Sequence, residues 1–187
     1  MKRLLIFSFL IVGLLYIGCS DYSTIVSPTN SDLTQNDVQS SVPTLIKLPI
    51  ISIGKTTKVT SKIYGAEGGT IEIKGKLKGG IKFVGKLEIP AGAFKGTLNF
   101  TIELDKKYAG FNFGPEGATF DKPLLFSGKI EGLNLDGFDP NTLQFGFFNN
   151  GNFEPAVYEN VKVDIEDGKL EVKKAQLNHF SRYNWAK

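Results

Sequence analysis

A base and a hydroxyl stand close together near the end of the chain. In Leu177-Asn178-His179-Phe180-Ser181-Arg182-Tyr183 the only histidine, His179, precedes Ser181 by two residues. On a strand that spacing puts both side chains on one face, within reach of each other. Three readings follow: half of a hydrolase site, the flank of a self-cleaving peptide bond, or the last strand of a β domain. A serine hydrolase also needs an acid partner, an oxyanion hole and, as a rule, a nucleophile on a strained turn. The chain has no Gly-x-Ser-x-Gly and no second histidine, so a conventional hydrolase is not expected. The reading adopted is the plain one: His179 and Ser181 cap the final strand while Phe180, Tyr183 and Trp185 pack.

Cys19 is the second reactive residue and the only cysteine. It follows two early positive charges, Lys2 and Arg3, an apolar run from Leu4 to Ile17, and Gly18. That run is short for a bilayer span and has the anatomy of a secretory leader. Leu15-Tyr16-Ile17-Gly18-Cys19 resembles the bacterial lipobox, in which a small residue precedes a cysteine that becomes lipidated; Tyr16 stands where that motif usually has Leu. A lone cysteine in an exported chain has no internal disulfide partner, whereas a lipid thioether gives it a use. Acyl chains hold a protein on a bilayer because each buried methylene contributes about 0.8 kcal/mol. Ser20 rather than Asp after Cys19 favours, by analogy with enteric bacteria, the outer membrane over the inner one. The expected leader is therefore 1–18, followed by the lipidated cysteine.

Other chemistry finds less support. Asp136-Gly137-Phe138-Asp139-Pro140-Asn141 offers oxygens for a cation, but matches no complete EF-type loop and lacks its terminal Glu, so an Asp-rich turn and no metal is the expectation. No zinc constellation or phosphate-binding loop is present, and no cofactor is expected. Without Lys2 and Arg3 the 22 basic residues fall to 20 against 19 acidic ones, too even a balance to steer the domain to nucleic acid. Lys74-Gly75-Lys76-Leu77-Lys78 reads as a solvated strand edge. In Phe145-Gly146-Phe147-Phe148, Phe145 and Phe147 share a face and are assigned to the core. Phe148 then faces outward, as a contact residue on which a sugar could stack.

Around these residues the pattern is that of a β protein. Asp21 to Val42 is mostly Ser, Thr, Asn, Asp and Gln; it cannot bury enough surface to offset its ordering entropy and reads as a flexible tether, making 19–44 the anchor and tether. From Leu45 onward, period-2 segments such as Thr70–Lys74, Ile81–Ile89, Leu98–Leu104 and Val161–Ile165 alternate with Gly- and Asn-rich turns, and no window holds a 3.6-residue apolar period. Asn150-Gly151 and Asp167-Gly168 are dipeptides that tight hairpins favour, because both central positions need positive φ. The whole chain has 15 Phe, 6 Tyr and 21 Gly, and 45–187 is expected to be all-β: an antiparallel two-sheet sandwich with an aromatic core, preceded by signal peptide and tether.

Three stretches carry a family likeness: Glu67-Gly68-Gly69-Thr70-Ile71, Leu87-Glu88-Ile89-Pro90-Ala91-Gly92-Ala93-Phe94, and Phe113-Gly114-Pro115-Glu116-Gly117-Ala118-Thr119-Phe120-Asp121-Lys122-Pro123. Together they resemble the domain shared by zonula-occludens proteins, netrin receptors of the Unc family and ankyrins, over roughly 64–185. Similar domains occur in bacterial exported proteins, often ending in His-Phe-Ser-Arg-Tyr as here. The resemblance implies a sandwich used for protein–protein contact, mostly without chemistry. In some relatives from death-domain adaptors and inflammasome sensors a His-Phe-Ser sequence cleaves itself at the Phe–Ser bond, with His179, Phe180 and Ser181 at the matching positions. Those relatives continue into a second β subdomain; here six residues follow Ser181. The residues also have architectural duties of their own. Pro90 ends a strand, Gly92 and Gly117 permit turns, Pro115 and Pro123 bracket a loop, and Phe120 plugs the sandwich.

The functional expectation is a lipid-anchored bacterial envelope protein with a non-catalytic interaction module. Its partners are the bilayer, through Cys19, and a protein or glycan, with an apolar patch exposed on one sheet face. An autoproteolytic domain and a carbohydrate-binding module are the alternatives.

Overall fold

The computed structural model describes residues 43–49 and 57–187. The expected leader, Cys19 and all but the last two residues of the expected tether lie outside the described residues. Within them the chain is all-β. The strands are β1 (Lys58–Tyr64), β2 (Gly69–Lys76), β3 (Lys82–Ile89), β4 (Thr97–Leu104), β5 (Gly110–Gly114), β6 (Thr119–Glu131), β7 (Gln144–Asn149), β8 (Asn152–Pro155), β9 (Asn160–Asp164), β10 (Lys169–His179) and β11 (Arg182–Ala186).

They form two antiparallel sheets, of order β1-β4-β5-β11-β7-β8 and β2-β3-β6-β10-β9. Four hairpins, β2–β3, β4–β5, β7–β8 and β9–β10, each stay within one sheet. The other connections carry the chain across to the opposite sheet, so the inward side chains of both sheets close on one another. Lys74 and Lys76 lie on β2, an edge strand, where cationic side chains discourage further pairing.

Alternation sets the core. Phe100, Ile102, Phe111, Leu124, Phe126, Phe145, Leu170, Val172, Leu177 and Trp185 all point inward and are buried. Gly85 and Gly128 face each other in the β3–β6 register, and a Cβ on either would press on the Phe126 ring. The missing side chains make the space that this ring fills. A short segment ahead of β1 adds to the same body: Ile46 and Leu48 are buried, Leu45 bridges to Ala186, and Lys47 bridges to Tyr108. Thr44 and Lys187 exchange backbone hydrogen bonds of 2.8 and 3.1 Å.

Two local expectations are corrected. Asn150 and Gly151 both take positive φ, 49° and 86°, as a two-residue hairpin requires. At the β9–β10 connection only Gly168 does; the loop is four residues long, and the Asp164 carboxylate accepts the Asp167 N–H at 3.1 Å. Pro123 does not close a loop but lies inside β6. It is tolerated because the β6–β10 ladder jumps from Thr119 to Leu124, leaving no bond for the missing N–H to make.

Candidate functional site

The residues around His179 occupy a corner rather than a strand. β10 ends at His179 in the five-stranded sheet and β11 begins at Arg182 in the six-stranded one, so Phe180 and Ser181 carry the chain between sheets. The expectation that His179 and Ser181 share one face of one strand is therefore corrected. The cause is Phe180, whose ring leaves the alternation to enter the core. It is 1% exposed and packs on Phe100, Phe120 and Phe113 at centroid distances of 4.9, 4.8 and 5.7 Å. Phe120 is half-buried and packs against the core in this cluster. Tyr183 and Trp185 are buried too.

Main-chain bonds fix the corner. The Phe180 N–H donates to the Ala118 carbonyl at 2.8 Å, the Gly117 N–H donates to the Phe180 carbonyl at 3.2 Å, and the Phe113 N–H donates to the Ser181 carbonyl at 3.1 Å. The Tyr183 hydroxyl donates to the His179 carbonyl at 3.1 Å, and burial pushes its pKa well above the ordinary tyrosine value. These two anchors, the Gly117 N–H and the Tyr183 hydroxyl, had no signal in the sequence because both depend on a close approach across sheets.

Side chains at the corner open onto a cleft of about 670 Å³ that His179 and Ser181 both line. The imidazole stands perpendicular to the Phe147 ring, 4.5 Å between centroids. Among the described residues no side-chain hydrogen bond joins His179 to Ser181. Phe147 and Phe148 are half-buried walls of the cleft, and Val157 beside them is 66% exposed. Phe145 is in the core as expected, but Phe147 is a cleft residue as well as a core neighbour. Phe148 faces out and packs edge-on to Phe153 at 5.4 Å. An adjoining cleft of about 490 Å³ shares Glu116, Phe148 and Ser181 and adds Arg182. The Arg182 Nε lies 3.9 Å from the buried Asp105 carboxylate, which accepts the N–H groups of Lys107 and Tyr108 at 2.7 and 2.9 Å.

The three stretches that carry the family likeness meet beside this corner. Gly92 donates its N–H to Gly65, Asp121 donates to Ala93, and Lys122 Nζ reaches the Ala91 carbonyl, at 2.7, 2.8 and 2.6 Å. A Cβ on Gly68 would collide with the carbonyl of Ile89. Phe94 and Phe120, one from each of the two longer stretches, are 6.4 Å apart, in the same aromatic cluster as Phe180.

Elsewhere, Asp139 uses an oxygen on its own turn, accepting the Asn141 N–H at 2.9 Å, and Asn134 does the same for Asp136. No group of three or more His, Cys, Asp or Glu among the described residues is arranged to hold a metal. The apolar patch expected on a sheet face is not on the five-stranded sheet. The outer face of the five-stranded sheet carries ion pairs, Lys86–Glu88 and Lys129–Glu131, each at 2.7 Å, and its Val84 stands alone as a large exposed apolar residue. Val157, the most exposed large apolar residue among the described residues, lines the cleft.

No family model, no curated protein and no solved structure matches the chain at a significant level.

Proposed function

We propose that this chain is an exported, lipid-anchored envelope protein whose β-sandwich binds another macromolecule through the corner cleft. The observation that carries the binding role is the cleft wall: two aromatic rings and a largely exposed valine beside the exposed amides of Gln176 and Asn178. Such a mixture of apolar surface and convergent polar groups is what recognition sites are made of. The anchor is supported by the sequence around Cys19, and the outer membrane by Ser20. The likeness to the zonula-occludens, Unc and ankyrin type of domain is supported by the meeting of its three stretches in space. That family's use in protein–protein contact is the role we assign.

A second reading has one observation in its favour. The Phe180 carbonyl, the group that Ser181 Oγ would attack in self-cleavage, already accepts the Gly117 N–H. A donor on that oxygen stabilises the charge that develops there. In such a step the hydroxyl proton passes to His179 and then to the departing Ser181 amine, and water resolves the ester formed at Oγ.

The intact mass of protein extracted from membranes and denatured tests both. A single chain beginning at Cys19 with acyl mass attached is the expected result. A chain ending at Phe180 beside a separate Ser181–Lys187 peptide would establish cleavage instead. Denaturation is needed because β11 lies in the middle of its sheet, between β5 and β7, and a cut strand would stay in place.

A further inference from the structure

Resting on that binding role, we infer that the partner contributes an extended, basic segment that adds as a strand to the free edge of β10 between Gln176 and His179. The ladder to β9 ends at Lys173, paired with Asn160, and one further bond, Gln176 N–H to the Val157 carbonyl at 2.8 Å, continues on that side. On the other side the ladder to β6 takes up Leu177 and His179 and skips Asn178. Backbone groups alternate in direction along a strand. The N–H and C=O of Asn178 therefore point the same way as the Gln176 N–H, toward the cleft and away from β6. An unpaired stretch of strand edge is a template for another strand.

The cleft supplies what such a strand needs besides main-chain bonds. Its alternate side chains would fall against the rings that line the cleft, Phe147 and Phe148. Among the described residues the charged ones lining the larger cleft are Glu116 and Glu154, and no lysine or arginine lines it. Glu154 accepts the Asn149 Nδ2–H at 2.8 Å and keeps its second oxygen free of that bond. Arg182, the cation nearest in sequence, lines the adjoining cleft beside Asp105. Acidic walls select a segment carrying Lys or Arg. A sugar could stack on the rings but could not continue the main-chain ladder.

The test uses the full chain, isotope-labelled and held in detergent. It is titrated with a capped hexapeptide of alternating valine and lysine, the same peptide N-methylated at alternate backbone amides, a valine–glutamate counterpart, and a maltooligosaccharide. The expected result is that only the unmodified lysine peptide binds, with shifts at Phe147 and Phe148 and slowed hydrogen exchange at Asn178. Asn178→Pro, which removes one edge donor and keeps the residues that pair with β6, weakens that binding about tenfold. The double variant Glu116→Lys/Glu154→Lys, which leaves the backbone edge intact, transfers preference to the glutamate peptide. Equal binding of the methylated peptide, or a footprint on another surface, would overturn strand addition while leaving the binding role standing. A maltooligosaccharide footprint at Phe148, with no peptide bound, would replace it with a glycan site. Silence from every ligand would overturn the inference, and the mass measurement above still judges the anchor.

Discussion

The two halves of β10 differ in how much of their backbone is used. From Leu170 to Val172 the strand is paired on both sides, to β6 and to β9, and its inward residues Leu170 and Val172 are fully buried. From Ala175 to His179 its ladder is to β6 alone, with the single bond from the Gln176 N–H to the Val157 carbonyl on the other side. A bulge at Lys174 separates the halves. Its φ is 48°, its N–H is rescued by the Ser127 hydroxyl at 3.1 Å, and the twist it adds turns the strand off β9. The first half closes the sandwich. The second leaves main-chain groups beside a cleft, and then breaks at Phe180. One strand thus keeps its inward residues, Leu170, Val172, Ala175 and Leu177, in the core throughout, while its pairing changes at a single residue in the left-handed region.

Four substitutions probe that division, in falling order of effect. Phe180→Ala empties the aromatic cluster at the open end and should cost about 3–5 kcal/mol by denaturant unfolding. A smaller loss there than at Gly128 would mean that the corner is not a core plug. Gly128→Ala, opposite Val172 in the closed half, drives a methyl against the Phe126 ring and should cost about 1–3 kcal/mol. Tyr183→Phe deletes the hydroxyl that holds the His179 carbonyl and should cost about 1 kcal/mol at neutral pH. It also carries a pH signature. Burial raises the folded pKa of Tyr183 above its unfolded value, so the stability tied to the protonated phenol is complete below about pH 10 and lost as pH rises further. Stability above pH 10 should fall more steeply in the parent protein than in Tyr183→Phe, and coincident alkaline limbs would contradict the buried placement. Glu131→Gln opens the surface pair with Lys129, which sits over the closed half. It should shift the unfolding midpoint least of the four, and 1 M salt in the parent should do no more. A large shift from it would show that the ion pairs hold the closed half together.

Much of this architecture was legible in the chain. Alternation located most strands, Pro90 ended β3, and Asn150-Gly151 marked its hairpin, because each is a local requirement of the backbone. Sheet membership was not legible, since a period of two residues is the same in either sheet. The corner shows the limit. Leu177, Tyr183 and Trp185 share one parity and Phe180 breaks it, yet the run still reads as one continuous strand. That out-of-phase phenylalanine was the available signal. Pro123 misled for a related reason: whether a strand position needs its N–H depends on a neighbour far away in sequence. The cleft was only half visible. Phe148 announced itself as outward, while Gln176, Asn178 and Glu154 became cleft residues only once β8 and β10 were brought together.

The pairing of Thr44 with Lys187 gives the domain a direction under load. Whatever pulls on the chain ahead of Thr44 pulls first on a segment bonded to the end of β11 and, through Ile46, to Trp185 and Ala109. Tension along the strand axis stretches these bonds together, as a lap joint bears shear. Tension across the axis opens them singly, like a seam. β11 runs from that joint to Ser181, so the strand that takes the strain is the one whose other end forms the rim of the cleft.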